Sequence, residues 1–170
     1  RDILAMEPRL MPGMVGGVVT EHLGLLDPYR LTLALLQASE RMGTTMRHGE
    51  VHGIEYQEER VRAVRIRGEE IPCDAVVVAM GPWSADAGSW IGAELPVGPL
   101  KGQILRLRTD AMPLTYVSWG HCYAVSKPDG LLWVGTTEEA AGLSEVTSAD
   151  GRDEIMASAL KVFPQLMDAE

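Results

Sequence analysis

Cysteine and histidine are sparse in this chain, and neither is spaced to bind a metal. The two cysteines, Cys73 and Cys122, lie far apart and outside any CxxC or Cys/His pattern. That argues against a zinc site and against a disulfide framework. Free buried thiols in a reducing compartment are the default. His22, His48, His52 and His121 form no HExxH-type motif. No apolar run approaches the roughly 20 residues of a membrane span. No signal peptide is visible, so a cytoplasmic location is expected. Basic residues are outnumbered, 15 Lys and Arg against 24 Asp and Glu, for a formal net charge of −9. This disfavours nucleic acid and anionic membrane surfaces as partners. A small anionic substrate stays open, because it needs only one local cation. A glycine-rich phosphate loop is also missing. The Gly13…Gly16-Gly17 cluster has no apolar strand leading into it, and Val18-Val19-Thr20 after it favours strand over helix.

What is present is an ordinary globular composition, 46% hydrophobic and 23% charged over 170 residues. That is enough for one domain with a core, or for parts of two. The most informative stretch is Cys73-Asp74-Ala75-Val76-Val77-Val78-Ala79-Met80-Gly81-Pro82-Trp83-Ser84. Its small and β-branched run suits a strand buried on both faces, as in a parallel sheet covered by helices. Gly81 allows close approach of the backbone to another group. Ser84 suits the N-cap of a short helix over 85–91. Ligands of open α/β folds bind at such a strand end. A structural strand-turn-helix with no ligand fits the same residues.

Elsewhere the pattern alternates between classes. Residues 1–13 read as a helix end and a Pro-rich loop, and Gly16 to Leu25 as a strand. Asp27 suits an N-cap and Pro28 the first helical position. Leu31, Leu33, Ala34, Leu35, Leu36 and Ala38 follow at helical spacing, and Gly43 fits just past the end. Thr44 to Arg47 and Val51 to Tyr56 read as strands. Val61 to Arg67 alternates with period two, so Gln57 to Arg60 is the expected hairpin turn, with another turn at Glu69-Glu70. Beyond the stiff crossover Leu95 to Leu100, strands are expected at 103–108, 114–119, 121–126 and 131–135. Lys127-Pro128-Asp129-Gly130 is a turn by composition. A last helix over 151–163 is capped by Ser148 or Asp150.

Asp27-Pro28…Arg30-Leu31…Ala34-Leu35, Gly49…Val51…Ile54, Ala79-Met80-Gly81-Pro82-Trp83-Ser84 and Pro99-Leu100-Lys101-Gly102-Gln103 stand in that order. They are followed by His121-Cys122-Tyr123-Ala124-Val125 and Leu132-Trp133-Val134-Gly135-Thr136-Thr137-Glu138-Glu139. Together they resemble FAD-dependent oxidoreductases of the D-amino-acid oxidase superfamily, most of all its glycine oxidase branch. The resemblance implies a mixed α/β and α+β fold: part of a FAD-binding Rossmann-like domain over 1–95, then an antiparallel-sheet substrate domain over 96–170. Residues 11–26 could join either. It also implies oxidation of a small amino acid or amine (glycine, sarcosine or D-amino-acid type) to an imine and 2-oxo acid, with hydrogen peroxide as co-product. The N-terminal GxGxxG fingerprint and the C-terminal substrate-arginine region of the family have no counterpart in these residues. The chain therefore reads as the central part of such an enzyme, expected to be inactive by itself, and a homo-oligomeric parent stays open. A FAD-dependent 2-hydroxy-acid or glycerol-3-phosphate dehydrogenase, or a non-catalytic truncated domain, are the alternatives.

The resemblance assigns Val51, Gly81, Pro82 and Trp83 to the cofactor, and Tyr123 and His121 to the substrate. Each has a plainer reading. Val51 suits a strand core, Tyr123 an aromatic strand position, and His121 the pocket entrance or a satisfied hydrogen bond. No catalytic base is expected, because the hard chemistry belongs to the cofactor. Lys101 and Glu138-Glu139 read best as solvated. Lys127 stands where relatives often carry arginine, a different group for a carboxylate. Trp90, Trp119 and Trp133 suit core or pocket wall.

Overall fold

The computed structural model describes residues 2–170. They form two compact units. One comprises the residues up to Val18 together with Gly98–Glu170, and the other is Val19–Val97.

The first unit is a four-stranded antiparallel sheet backed by a helix. Its strands are β4 (Ile104–Leu107), β5 (Val117–Trp119), β6 (Cys122–Ser126) and β7 (Leu132–Gly135), in the order β4-β7-β6-β5. Successive side chains of a strand point to opposite faces. Along β7, Leu132 and Val134 therefore face one way, and Trp133 and Gly135 the other. Helix α4 (Ala149–Leu160) packs against β4, β6 and β7. It starts where the Ser148 hydroxyl accepts from the Gly151 amide at 3.1 Å, the N-cap expected from the sequence. The core between them holds Leu107, Ala124, Leu132, Val134, Ile155, Ala159, Phe163 and Leu166. Phe163 meets Trp119 edge-on, with centroids 5.9 Å apart. Trp119 also donates its indole N–H to Ser158 Oγ at 3.0 Å, so this tryptophan is core, as one of its two expected roles had it.

The first domain is expected to hold residues 1–10, with 11–26 left open to either; the residues up to Val18 fold with this sheet. Leu10 enters the core, and the Met11 amide bonds the Val162 carbonyl at 2.8 Å. The expected strand over 16–25 does not form. It has no ladder partner among the described residues, and Val15 and Val18 are fully exposed.

The second unit carries helix α2 (Pro28–Arg41) and an antiparallel sheet of β1 (Val51–Gln57), β2 (Arg60–Ile66) and β3 (Glu69–Pro72), in that order. The Asp27 carboxylate accepts from the Arg30 amide at 3.1 Å, so the sequence signal for α2 corresponds to a real cap. β1 and β2 join at Glu58-Glu59, both with positive φ. Glu69-Glu70 is not a turn: the chain reverses at Arg67-Gly68, and both glutamates pair in β3. Thr44 to Arg47 is not a strand.

The expected buried parallel strand is absent as well. Ala75 to Met80 forms no strand: it has no ladder partner among the described residues, and Val77 is 90% exposed. A strand needs a neighbour to satisfy its N–H and C=O groups, and composition alone cannot supply one. The same holds for α2, which buries no residue despite its leucine-rich face. A buried leucine is worth roughly 1.5–3 kcal/mol, and α2 gains none of that within this unit. No helix among the described residues is long and apolar enough to cross a membrane.

This asymmetry makes a direct prediction. Phe163→Ala should cost about 3–5 kcal/mol, the usual loss for a buried phenylalanine. Leu33→Ala should stay within about 0.5 kcal/mol, as for a surface position. Urea denaturation of the two variants checks both.

Candidate functional site

On the sheet face turned away from α4, Tyr123 is half-buried. Its register partner on β7 is Gly135, and on β5 Ser118. The Tyr123 ring lies close over Gly135. A Cβ built there would stand 3.1 Å from Tyr123 Cε1 and 2.8 Å from Ile104 Cγ2. Only glycine lets the ring and Ile104 approach β7 that closely. Tyr116 sits diagonally across the β5–β6 hairpin and stacks on Tyr123, with centroids 6.1 Å apart and planes at 22°. Burial raises the Tyr123 phenol above the ordinary tyrosine pKa, and the neighbouring Tyr116 adds to the effect. Tyr123 is therefore a protonated hydrogen-bond donor throughout the neutral range.

His121 does not share that face. It lies in the two-residue turn Gly120-His121 and is exposed. Further along the face, Trp133 carries Arg106 Cζ and Lys127 Nζ each 5.1 Å from its ring centroid. Its indole N–H donates to Asp129 at 3.2 Å, and Arg106 pairs with the same carboxylate at 2.8 Å. The hydrogen bond from Arg106, then the Leu131 amide, holds the Asp129 carboxyl below its usual pKa.

Lys101 and Glu139 are not simply solvated. The Lys101 ammonium donates to the Val146 carbonyl and stands 3.4 Å from Glu139. The buried Gln103 donates to Glu139 at 2.6 Å and to Ser148 Oγ at 3.0 Å, and accepts from the Ser148 amide at 2.9 Å. Gln103 first, and then Thr137, pull the Glu139 carboxyl below its usual pKa. This network ties the segment after β7 to the start of α4.

In the unit Val19–Val97, Val51 and Trp83 line one cavity of about 720 Å³ with Val76, Val77, Met80 and Trp90. Gly81 adopts φ +55°, a conformation that strains other residues, and nothing lies within 4 Å of where its Cβ would be. A 3-10 helix, Gly81–Ala87, follows, with Pro82 in its first turn and the Trp83 amide bonded to the Met80 carbonyl at 3.2 Å. It runs into α3 (Gly88–Ile91). The expected helix thus starts earlier and more tightly, and Ser84 is not its cap. Of the four residues assigned to the cofactor, Val51 and Trp83 share the cavity, and Gly81-Pro82 form the turn leading to Trp83.

The profile of the family described as FAD dependent oxidoreductase matches residues 1–170. The chain belongs to that family. Glycine oxidase of Pseudomonas putida is 34% identical over 124 residues, covering 72% of this chain and 34% of that protein. Glycine oxidase of Bacillus subtilis is 26% identical over 169 residues, covering 98% of this chain and 46% of that protein. The crystal structure of glycine oxidase from Geobacillus kaustophilus superposes with TM-score 0.90 at 29% identity, covering 99% of this chain and 46% of its own. The chain thus spans between about a third and a half of the length of these relatives. An iminodiacetate oxidase from Chelativorans sp. BNC1 superposes with TM-score 0.71 at 27% identity, over 82% of this chain and 39% of its own.

FAD is the cofactor of this family, and the cavity suits one end of it. Its valines, methionine and tryptophans give an apolar wall for a planar ring. Glu50 and Asp86, also in the lining, offer acceptors for ribose hydroxyls. The same two carboxylates disfavour a diphosphate. The residues present fit the nucleoside end of FAD and not its diphosphate. Among the described residues no three His, Cys, Asp or Glu come together as a metal site.

Sequence reasoning missed Tyr116, Gly135 and Gln103. Tyr116 and Tyr123 lie seven apart around a two-residue turn, which puts them diagonally on one face, so hairpin register was the available signal. Gly135 and Gln103 lie inside motifs of the family resemblance, but nothing in the sequence marks their contacts.

Tyr123 gives the second prediction. Its phenolate absorbance, as a difference against Tyr123→Phe, should titrate above the free tyrosine value of about 10. Tyr116→Phe should lower it part of the way, because burial remains. The stabilisation linked to this shift is complete below the unfolded value and is lost as pH rises through the folded one.

Proposed function

We propose that the full-length protein containing these residues is a FAD-dependent oxidase of a small amino acid or amine, of glycine, sarcosine or D-amino-acid type. The amine loses two electrons and two protons to become an imine. Water converts the imine to a 2-oxo acid and releases ammonia or an amine. Oxygen is the final acceptor and leaves as hydrogen peroxide. The observation that carries the reading is the protonated, half-buried Tyr123 on the open face of the sheet, in a chain similar to glycine oxidases over 72% or more of its length.

Tyr123 donates its phenolic O–H to the substrate carboxylate. A tyrosine phenol keeps that proton at neutral pH, and burial, then the neighbouring Tyr116, raises its pKa further. The missing side chain at Gly135 lets the ring lie close against β7. His121, exposed in the turn, lines the approach. Val51 and Trp83 would hold the nucleoside end of the cofactor through apolar contact, with Gly81 and Pro82 forming the turn that places Trp83. Bound FAD supplies two-electron redox chemistry, so no side chain of this chain has to act as a strong base. Two units are thereby given two tasks: Val19–Val97 holds cofactor, and the antiparallel sheet of the other holds substrate.

The full-length protein should purify yellow and release peroxide with at least one of glycine, sarcosine or a D-amino acid. Tyr123→Phe should raise KM about tenfold or more, the usual loss for a hydrogen bond to a charged group, with a smaller change in kcat. A colourless protein, or a flavoprotein whose Tyr123→Phe variant keeps its KM, contradicts the proposal.

A further inference from the structure

Glu7 is the most buried carboxylate of the chain's first unit, 2% exposed, and no role described above uses it. It ends the short helix α1 (Ile3–Met6). Its Oε2 accepts from the Leu114 amide at 2.6 Å, from the Thr115 amide at 3.1 Å and from the Thr115 hydroxyl at 3.5 Å. Its Oε1 accepts from the Arg9 amide at 3.3 Å and lies 3.7 Å from the Arg9 guanidinium. Both oxygens thus accept hydrogen bonds. The Glu7 end of this clamp is itself fixed to the core, by Leu10 and by the Gln165 amide on the Arg9 carbonyl at 2.6 Å.

The clamped segment leads directly to Tyr116. A second tether holds it from the other side, where Ser126 of β6 donates its hydroxyl to the Pro113 carbonyl at 2.9 Å. Residues 113, 114 and 115 are therefore each bonded to a fixed point, and the next side chain in the sequence is the ring that stacks on Tyr123. Burying a carboxylate costs free energy unless charge-assisted hydrogen bonds offset it.

We infer that Glu7 is a positioning residue for the substrate site: its buried carboxylate fixes residues 114 and 115, and through the Tyr116 ring it sets where Tyr123 lies. This rests on the reading of Tyr123 as the substrate donor. Glu7 acts through the backbone and touches neither substrate nor cofactor.

The test uses the full-length flavoprotein. Glu7→Ala should raise KM for the amine substrate about tenfold, with kcat within about threefold, as expected when a binding group is displaced by a fraction of an ångström. Glu7→Gln keeps one oxygen for the Leu114 and Thr115 amides and should recover most of that loss. Ser126→Ala frees the second tether without touching α1 and should shift KM in the same direction. A readout independent of turnover is the Tyr123 phenol in the flavin-free protein, followed as a difference against Tyr123→Phe. It should move toward free tyrosine in Glu7→Ala and Ser126→Ala, and return in Glu7→Gln. If Glu7→Ala does not fold, Ser126→Ala decides. Unchanged KM and unchanged Tyr123 titration in the folded variants overturn the inference, as does a fall in kcat at constant KM. If Tyr123→Phe alone leaves KM unchanged, the reading of Tyr123 fails instead, and the titration still reports whether Glu7 positions that ring.

Discussion

Burial of Leu132 and Val134 under α4 is the contact on which the antiparallel unit depends. Both side chains are fully buried, and they lie on the same face of β7. Because strand side chains alternate, that one choice of face also decides what the opposite face carries. Gly135 and Trp133 of β7, Tyr123 of β6 and Ile104 and Arg106 of β4 are turned away from the core together. A slip of one residue in β7 would put Trp133 into the core and Val134 beside Tyr123. Core packing and site composition are therefore one constraint. The missing side chain at Gly135 then sets how close the tyrosine ring comes, and the Glu7 clamp sets what stacks on its other side.

The unit Val19–Val97 is built on a different balance. Its three strands are tied by ladder bonds and by surface ion pairs, Arg65 with Glu55 at 2.9 Å among them. Exposed pairs of this kind contribute little, about 0–1 kcal/mol. Few of its residues are buried: α2 and the unpaired Ala75 to Met80 present leucine and valine to the outside. The same segment forms the wall of the cavity that suits a nucleoside.

Local signals were legible in the sequence wherever the physics is local. Asp27-Pro28 announced α2, because a cap and a proline act within one turn. The alternation of Val61 to Arg67, and of the strands after residue 100, located both antiparallel sheets. Ser148 was one of two caps named for α4, and it is the one used. What escaped depends on contacts distant in sequence. The valine run at 76–78 has strand composition, but a strand is a property of a pair. Glu69-Glu70 looks like a turn by charge, yet the neighbouring Gly68 supplies the reversal and the glutamates join the ladder. Glu139 reads as solvated from the sequence, and Glu7 and Gln103 carry no sign of burial, until their partners, 36 to 108 positions away, are placed beside them. The candidate substrate tyrosine was named from family resemblance. The glycine and second tyrosine that fix its position came only from register.

The central claim is that the core under α4 organises one unit while α2 carries none of its own. Native-state hydrogen exchange on this chain tests that most directly, because protection of an amide reports the free energy of opening it. Amides of β6, β7 and α4 should be the slowest to exchange and should share one opening free energy, while those of Pro28–Arg41 exchange orders of magnitude faster. Equal protection in α2 and α4 would contradict the account.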